Sequence, residues 1–273
     1  MNRTEILGTG NKNILVLTGV HGNEISPVYA GYILKKFDFD KSKFKKLTIL
    51  NAVNTDGIKN NIREIPNDNT SDLNRMFKVD FDNNISIDEL TKLFNDNDII
   101  IDVHSSPRCC EFILLNQDET TNSYVEFALK HDIKYLIRYS DSNTIKKYGL
   151  DKGKISFTIE INQMNYIDYD SAKRCSELII NIINNCDDFK LTLCEPKYDE
   201  FFEFFTYKDG LFLPKVKIGD IISEGDWLGE LLDLTTFDTE KIFYRKDRKS
   251  RIICSGESQY VSAGRSMFFL QPV

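Results

Sequence analysis

The stretch VLTGVHGNEISP, residues 16–27, runs an apolar segment into a glycine-bearing turn that holds His21 and, three residues on, Glu24. An imidazole and a carboxylate three apart at a helix entry lie on one face and can meet at a single cation. The same glutamate also suits the first turn of a helix, where its charge complements the dipole. The chain has three histidines. His131, in K-H-D at a predicted helix end, reads as solvent-exposed. His104 closes the apolar run IIIDVHSS. Ligands of open α/β sheets gather at the carboxyl ends of strands, and two parallel strand ends can be neighbours. His21, Glu24 and His104 can therefore converge. Two imidazoles and one carboxylate, with the fourth position left to water, are the donor set of a catalytic zinc, one per chain; a structural site closes with four protein ligands. The same donors accept cobalt or nickel. Asp102 shares the strand face of His104 and can orient it; plain polar packing is an equal reading.

A metal hydrolase needs a base. Glu160 sits in FTIEIN among Phe157, Ile159 and Ile161, and a carboxylate in an apolar strand is costly unless paired or functional. Burial and a nearby metal would tune it; a half-exposed edge-strand glutamate is the plain alternative. Cations come from the polar stretch 54–77, with Arg63 in NNIREIP and Asn74 and Arg75 in SDLNRMF. An arginine fork matches a carboxylate, and an arginine beside the metal can hold a developing oxyanion.

The elements that position these residues follow from periodicity. Residues 14–20, 47–53, 99–106, 111–116, 134–139 and 155–162 read as strands, and residues 25–37, 86–96, 121–131 and 169–185 as helices. Ser86 with Glu89 forms a capping box. Residues 54–77 read as a long irregular loop with a functional role. Strand–helix alternation up to residue 186 predicts an α/β domain with a mixed, mostly parallel sheet flanked by helices. After residue 195, short strands broken by K-D-G, I-G-D and E-G-D turns predict a small all-β domain. The expected division is 1–194, the hydrolase domain, and 195–273, a barrel-sandwich-like cap that narrows the cleft. VKIGDIISEGDWLGEL also resembles half of a lipoyl or biotinyl carrier, with Lys215 or Lys217 as the modified residue, but their flanks do not match such a site.

The 273 residues leave room for one large domain with a small appendage, and 41% hydrophobic content supplies a sizeable core. A net charge of −7 argues against nonspecific nucleic-acid binding. The cysteines, Cys109, Cys110, Cys175, Cys186, Cys194 and Cys254, form no C-x-x-C pair; that fits reduced thiols in a cytoplasm. The first residues hold no apolar signal segment, and the apolar runs are of strand length, so no membrane association is expected. Self-association as a homo-oligomer is compatible with the sequence.

GVHGNE, SDLNRMF, IDVHSS and FTIEIN occur in the order and rough spacing of the succinylglutamate desuccinylase/aspartoacylase family, a branch of the zinc carboxypeptidase superfamily. The resemblance spans about residues 10–190, and the β-domain also looks like the family's. It implies that His21, Glu24 and His104 bind zinc, that Glu160 is the general base and acid, and that Arg63 polarises the scissile carbonyl. It implies that Asn74 and Arg75 bind a substrate carboxylate. Tyr260, in ESQYVSAG, resembles a position where the β-domain reaches the pocket. Two departures stand out: Asn162 replaces a common glycine, and NTIKKYGLDKGK has no arginine where aspartoacylases supply one for the acyl-side carboxylate. Lys146, Lys147, Lys152 or Arg108 could substitute.

The sequence thus predicts a zinc-dependent hydrolase that cleaves the amide bond of a small N-acyl amino acid or related carboxylate. A metallo-carboxypeptidase acting on short peptides is the nearer alternative, and a non-catalytic small-anion binding protein the more distant one.

Overall fold

A computed structural model describes residues 2–66, 72–77, 85–107, 109, 112–115, 136–138, 142–188, 202–255 and 260–273. The expected helix over 121–131, His131, Arg108, Cys110 and Cys194 lie outside these residues.

The continuous apolar runs form the centre of a seven-stranded sheet. Its strands are β1 (Asn2–Leu7), β2 (Asn13–Thr18), β3 (Lys46–Asn51), β4 (Ile99–Ser106), β5 (Phe112–Leu115), β6 (Leu136–Arg138) and β7 (Ile155–Asn162), in the order β1-β3-β2-β4-β7-β5-β6. β2 pairs in parallel with β3 and β4. β7 runs the same way. Its first residue, Ile155, donates to the Asp98 carbonyl just before β4 at 3.0 Å, and beyond its end Asn165 donates to the Asn23 carbonyl at 2.7 Å. β1 is antiparallel to β3, and β5 to β7, so reversed strands flank the parallel block on both sides.

Alternation along β2 turns Leu15 and Leu17 to one face, where they join Leu73, Phe77, Leu93, Phe94, Ile145 and Tyr148 in a buried core. Helices α3 (Ile85–Asn95) and α4 (Ile145–Asp151) supply several of these residues. Helices α1 (Ile25–Lys36) and α5 (Tyr169–Asn184) pack together through small side chains, including Ala30, Ala172 and Ser176. The Ser176 hydroxyl donates to the carbonyls of Ala172 and Ala30.

Several local expectations change. The 54–77 stretch is not irregular throughout: helix α2 spans Thr55–Asn60. Asn54 caps it by accepting the Gly57 N–H at 2.9 Å, and Asn61 closes it in the left-handed conformation. Ser86 lies inside α3 rather than at its N-cap, because the helix already includes Ile85. β1 and α4 carry no strong apolar periodicity and were not among the expected elements.

The chain divides into two compact units, Met1–Ser105 with Glu111–Lys197, and Ser106–Cys110 with Tyr198–Val273. The second holds two four-stranded antiparallel sheets built from β8 (Phe202–Phe205), β9 (Gly210–Pro214), β10 (Ile221–Ile222), β11 (Trp227–Leu232), β12 (Thr239–Phe243), β13 (Ser250–Ser255), β14 (Tyr260–Val261) and β15 (Ser266–Pro272). One is ordered β10-β13-β15-β8 and the other β12-β11-β9-β14. Leu228, Leu231, Ile242, Ile252, Phe268 and Leu270 fill its core. The I-G-D and E-G-D turns are built alike: Asp220 accepts the Lys217 N–H and Asp226 the Ser223 N–H. In this unit Cys109 pairs with Cys254 as an isolated antiparallel bridge. Lys215 lies over the Trp227 ring and Lys217 is exposed. Among the described residues no helix is long and apolar enough to cross a membrane.

Candidate active site

The H-G-N-E turn leaves β2 and enters α1. Glu24 occupies the N-cap position of α1 but makes no side-chain cap bond. Its carboxylate turns to the histidines instead. Oε1 lies 2.6 Å from His21 Nδ1 and Oε2 3.0 Å from His104 Nδ1, and Oε2 also accepts the Ser105 N–H at 2.9 Å. The two Nδ1 atoms are 3.0 Å apart. All three side chains are buried, and together they form a group able to hold a metal ion.

Each ring is held from behind by a carboxylate. Asp72 Oδ1 meets His21 Nε2 at 2.9 Å, and Asp102 Oδ2 meets His104 Nε2 at 2.7 Å. A proton on each Nε2 leaves both Nδ1 lone pairs aimed at each other and at a carboxylate oxygen. Three acceptors so placed repel one another unless a metal ion, or in its absence a proton on a histidine ring, lies among them. Donors about 2.0–2.1 Å from a tetrahedral zinc are themselves roughly 3.3 Å apart, close to the spacings found here. The residues therefore fit a metal ion, with the outer carboxylates setting tautomer and ring orientation. Asp102, for which the sequence left orientation of His104 and plain polar packing as equal readings, contacts the ring directly. Asp72 was not singled out in the sequence; its only signal is its position in D-L-N-R.

These contacts shape the charges. Burial opposes ionisation of Glu24, but the two histidines more than offset it and hold its carboxyl well below the usual range. Burial likewise opposes the Asp72 charge, and His21, Arg63 and Arg75 outweigh it, so this carboxyl too is lowered. For His104, burial disfavours the charged ring, yet Asp102 and Glu24 raise its pKa well above the ordinary value.

Arg63 closes the cluster. Its Nε and Nη2 lie 3.0 Å from Asp72 Oδ2, and Nη1 donates to Glu24 Oε1 at 3.3 Å. Asn54 positions the segment by donating to the carbonyls of Arg63 and Glu64. Gly22 lets the H-G-N-E turn lie directly on α2: a Cβ there would sit 2.1 Å from the Gly57 carbonyl carbon. Asn74 is buried, with Oδ1 accepting the Ile145 N–H at 2.8 Å and Nδ2 lying 3.1 Å from His104 Nε2. Arg75 is exposed and donates to the Asn74 carbonyl.

Glu160 is the sixth residue of β7 as His104 is the sixth of β4, and the two strands start side by side. Carried along both strands, that register sets Glu160 beside His104 at the carboxyl edge. Glu160 is half-buried, and Phe112 lies opposite it on β5. Asn162, in place of the common glycine, donates to Asp168, the N-cap of α5. Of the candidate lysines, Lys147 pairs with Asp151, Lys152 lies over the Tyr148 ring, and Lys146 is fully buried. Tyr260 lies in the second unit and is 44% exposed.

A family model described as the succinylglutamate desuccinylase/aspartoacylase catalytic domain matches residues 10–185. The chain belongs to this family. The succinylglutamate desuccinylase/aspartoacylase family is one of hydrolytic deacylases. Solved structures share its fold along almost the whole chain. The product-bound Ectoine utilization protein EutE (DoeB) from Ruegeria pomeroyi is 19% identical with a TM-score of 0.81, covering 99% of this chain and 88% of that one. A succinylglutamate desuccinylase from Silicibacter sp. TM1040 is 18% identical with a TM-score of 0.79 and the same coverage. A succinylglutamate desuccinylase/aspartoacylase from Rhodobacter sphaeroides is 17% identical with a TM-score of 0.78, covering 98% and 88%. No curated protein matches the sequence.

Proposed function

We propose that this family member is a zinc-dependent hydrolase that cleaves the amide bond of a small N-acyl amino acid or a related carboxylate. The observation that carries the reading is the convergence of His21 Nδ1, His104 Nδ1 and the Glu24 carboxylate within a few ångströms, each imidazole backed by its own carboxylate. Membership of a deacylase family supports the amide as the target.

His21, Glu24 and His104 would hold the ion, which when bound supplies an acidified water and a polarised carbonyl. Asp72 and Asp102 keep the Nε2 protons in place, so both Nδ1 lone pairs stay available. Glu160 takes a proton from the attacking water and later delivers it to the leaving amine. Arg63, packed against Glu24, faces the charge that develops on the carbonyl oxygen. Arg75, exposed on the D-L-N-R turn, is the cation for a substrate carboxylate. The described cysteines, Cys109, Cys175, Cys186 and Cys254, are free thiols, which fits a cytoplasmic protein.

The test is metal content of the purified wild type and of His104→Ala, followed by a substrate panel. About one zinc per chain, lost in the variant, with hydrolysis of N-acyl amino acids, is the expected result. A wild type that holds no metal after zinc is added back would sink the reading. Turnover of short peptides alone would make the protein a carboxypeptidase.

A further inference from the structure

Each sheet of the second unit ends in an edge strand, β8 in one and β12 in the other, and among the described residues no strand bridges the two. Both strands line one cavity of about 170 Å³. The sequence puts aromatic rings along both edges, in F-E-F-F-T-Y at residues 202–207 and in I-F-Y at residues 242–244. Alternation along β12 turns Ile242 inward and Phe243 outward. Ile242 and Met267 are buried members of the core and form the cavity floor, and Phe204 packs against the same core from β8. Phe205, Tyr207 and Phe243 also line the cavity and stay exposed. An apolar cavity of about 150 Å³ takes one benzene-sized ring, and a ring held among other rings gains edge-to-face contacts.

One charged side chain lines the cavity. Arg245 lies exposed just beyond β12, and among the described residues its guanidinium makes no hydrogen bond or ion pair. Glu240, whose charge it feels, is held instead by Lys208 and the Tyr207 hydroxyl. The next arginines of the same stretch are engaged: Arg248 stacks on the Phe202 ring at 4.0 Å, and Arg251 donates to the Gly219 carbonyl at 3.0 Å.

We propose that this cavity binds a small aromatic carboxylate, with its ring among Phe204, Phe205 and Phe243 and its anion on Arg245. A guanidinium offers a carboxylate two parallel N–H donors. Neither half of such a ligand suffices. An anion without a ring meets one exposed arginine, a contact worth little in water, and a neutral ring leaves the guanidinium unanswered. The cavity lies within the second unit, and the proposal does not depend on the metal-centre reading.

The experiment is an NMR titration of the full chain, isotope-labelled in its methionine methyl groups. Met267 reports on the cavity, whereas Met76 and Met164 report on the first unit. The probes are phenylacetate, the neutral phenylethanol and acetate. Phenylacetate is expected to shift the Met267 signal saturably, since a ring beside a methyl group displaces its resonance. Phenylethanol should bind about 10-fold more weakly, and acetate should give no saturable shift at Met267. Arg245→Gln should abolish the preference for the acid over the alcohol, and Phe243→Ala should weaken both. Equal binding of acid and alcohol by the wild type overturns the proposal. So does movement of Met76 or Met164 with Met267 unchanged, which would send the carboxylate to the first unit. A Met267 signal that moves with protein concentration before any ligand is added would give the cavity to a second copy of the chain, and that too overturns it. Should either variant fail to fold, the acid–alcohol comparison in the wild type decides.

Discussion

The two units bury different chemistry. The carboxyl edge of the first unit's sheet encloses His21, Glu24, Asp102 and His104, none more than 3% exposed. The second unit's core is largely hydrocarbon and aromatic, and its buried Tyr244 hydroxyl is satisfied by Ser250 at 2.7 Å. Its ionic contacts, such as Glu240 with Lys208 and Tyr207, are at the surface. Burying carboxylates and imidazoles is costly to fold unless their charges are balanced, and in the first unit the balance comes from one another: Glu24 and Asp72 face imidazoles, and His104 faces two carboxylates. Among the described residues the second unit buries no charged side chain.

Substitutions can sharpen this contrast. The largest effect is expected from Glu160→Gln, which should lower turnover about 10²–10⁴-fold while metal content and melting behaviour stay at wild type. Near-normal hydrolysis would remove Glu160 from the mechanism. Next comes Leu228→Ala in the second core, expected to cost about 2–5 kcal/mol. Hydrogen exchange should rise in residues 202–273 with metal content unchanged, and a loss of metal would show that the units do not separate as described. Asp72→Asn should weaken metal binding about 10–100-fold in a chelator competition, and an unchanged affinity would deny Asp72 its hold on His21.

Acidity should separate the units more gently. Glu24 and Asp72 have lowered pKa values, so their stabilisation of the metal-free first unit is present above the ordinary values of 4.5 and 3.8 and is lost as pH falls through the depressed ones. His104 is raised, so its share is complete below 6.5 and is lost as pH rises through the raised value. Segment-resolved hydrogen exchange of the metal-free protein should show the β2–β4 edge best protected between these limits. The smallest effect is expected at Glu240. Its lowered pKa gives a contribution that is also lost on acidification, but the group lies at the surface, so salt should erase it. A Glu240→Gln melt at high salt that differs from wild type would contradict that.

The strands of the parallel block were legible because both of their faces are covered, which writes them as unbroken apolar runs such as IIIDVHSS and ISFTIEIN. His21, Glu24 and His104 were legible because strand ends and residue type together restrict what such side chains can do. β1 was not, since it lies at the sheet edge with alternate residues exposed. α2 was hidden because its place depends on contacts distant in sequence: Gly57 fits only because Gly22 also lacks a side chain, and Asn54 must reach Arg63 and Glu64. Asp72 reads in sequence as one more charge in a polar loop; only folding reveals that its neighbour is an imidazole. The same holds for Asn74, whose partner Ile145 lies 71 positions away.

The backbone bridge between Cys109 and Cys254, both free thiols, cannot form until both residues have left the ribosome. The ribosome releases Cys109 well before its partner, and at about 5–20 residues per second the wait lasts on the order of ten seconds. By then His21, Glu24 and His104 have all emerged. A nascent chain stalled short of residue 254 should therefore already retain metal, so the ion could be captured before the second unit exists, and a stalled chain that retains none would place loading after release.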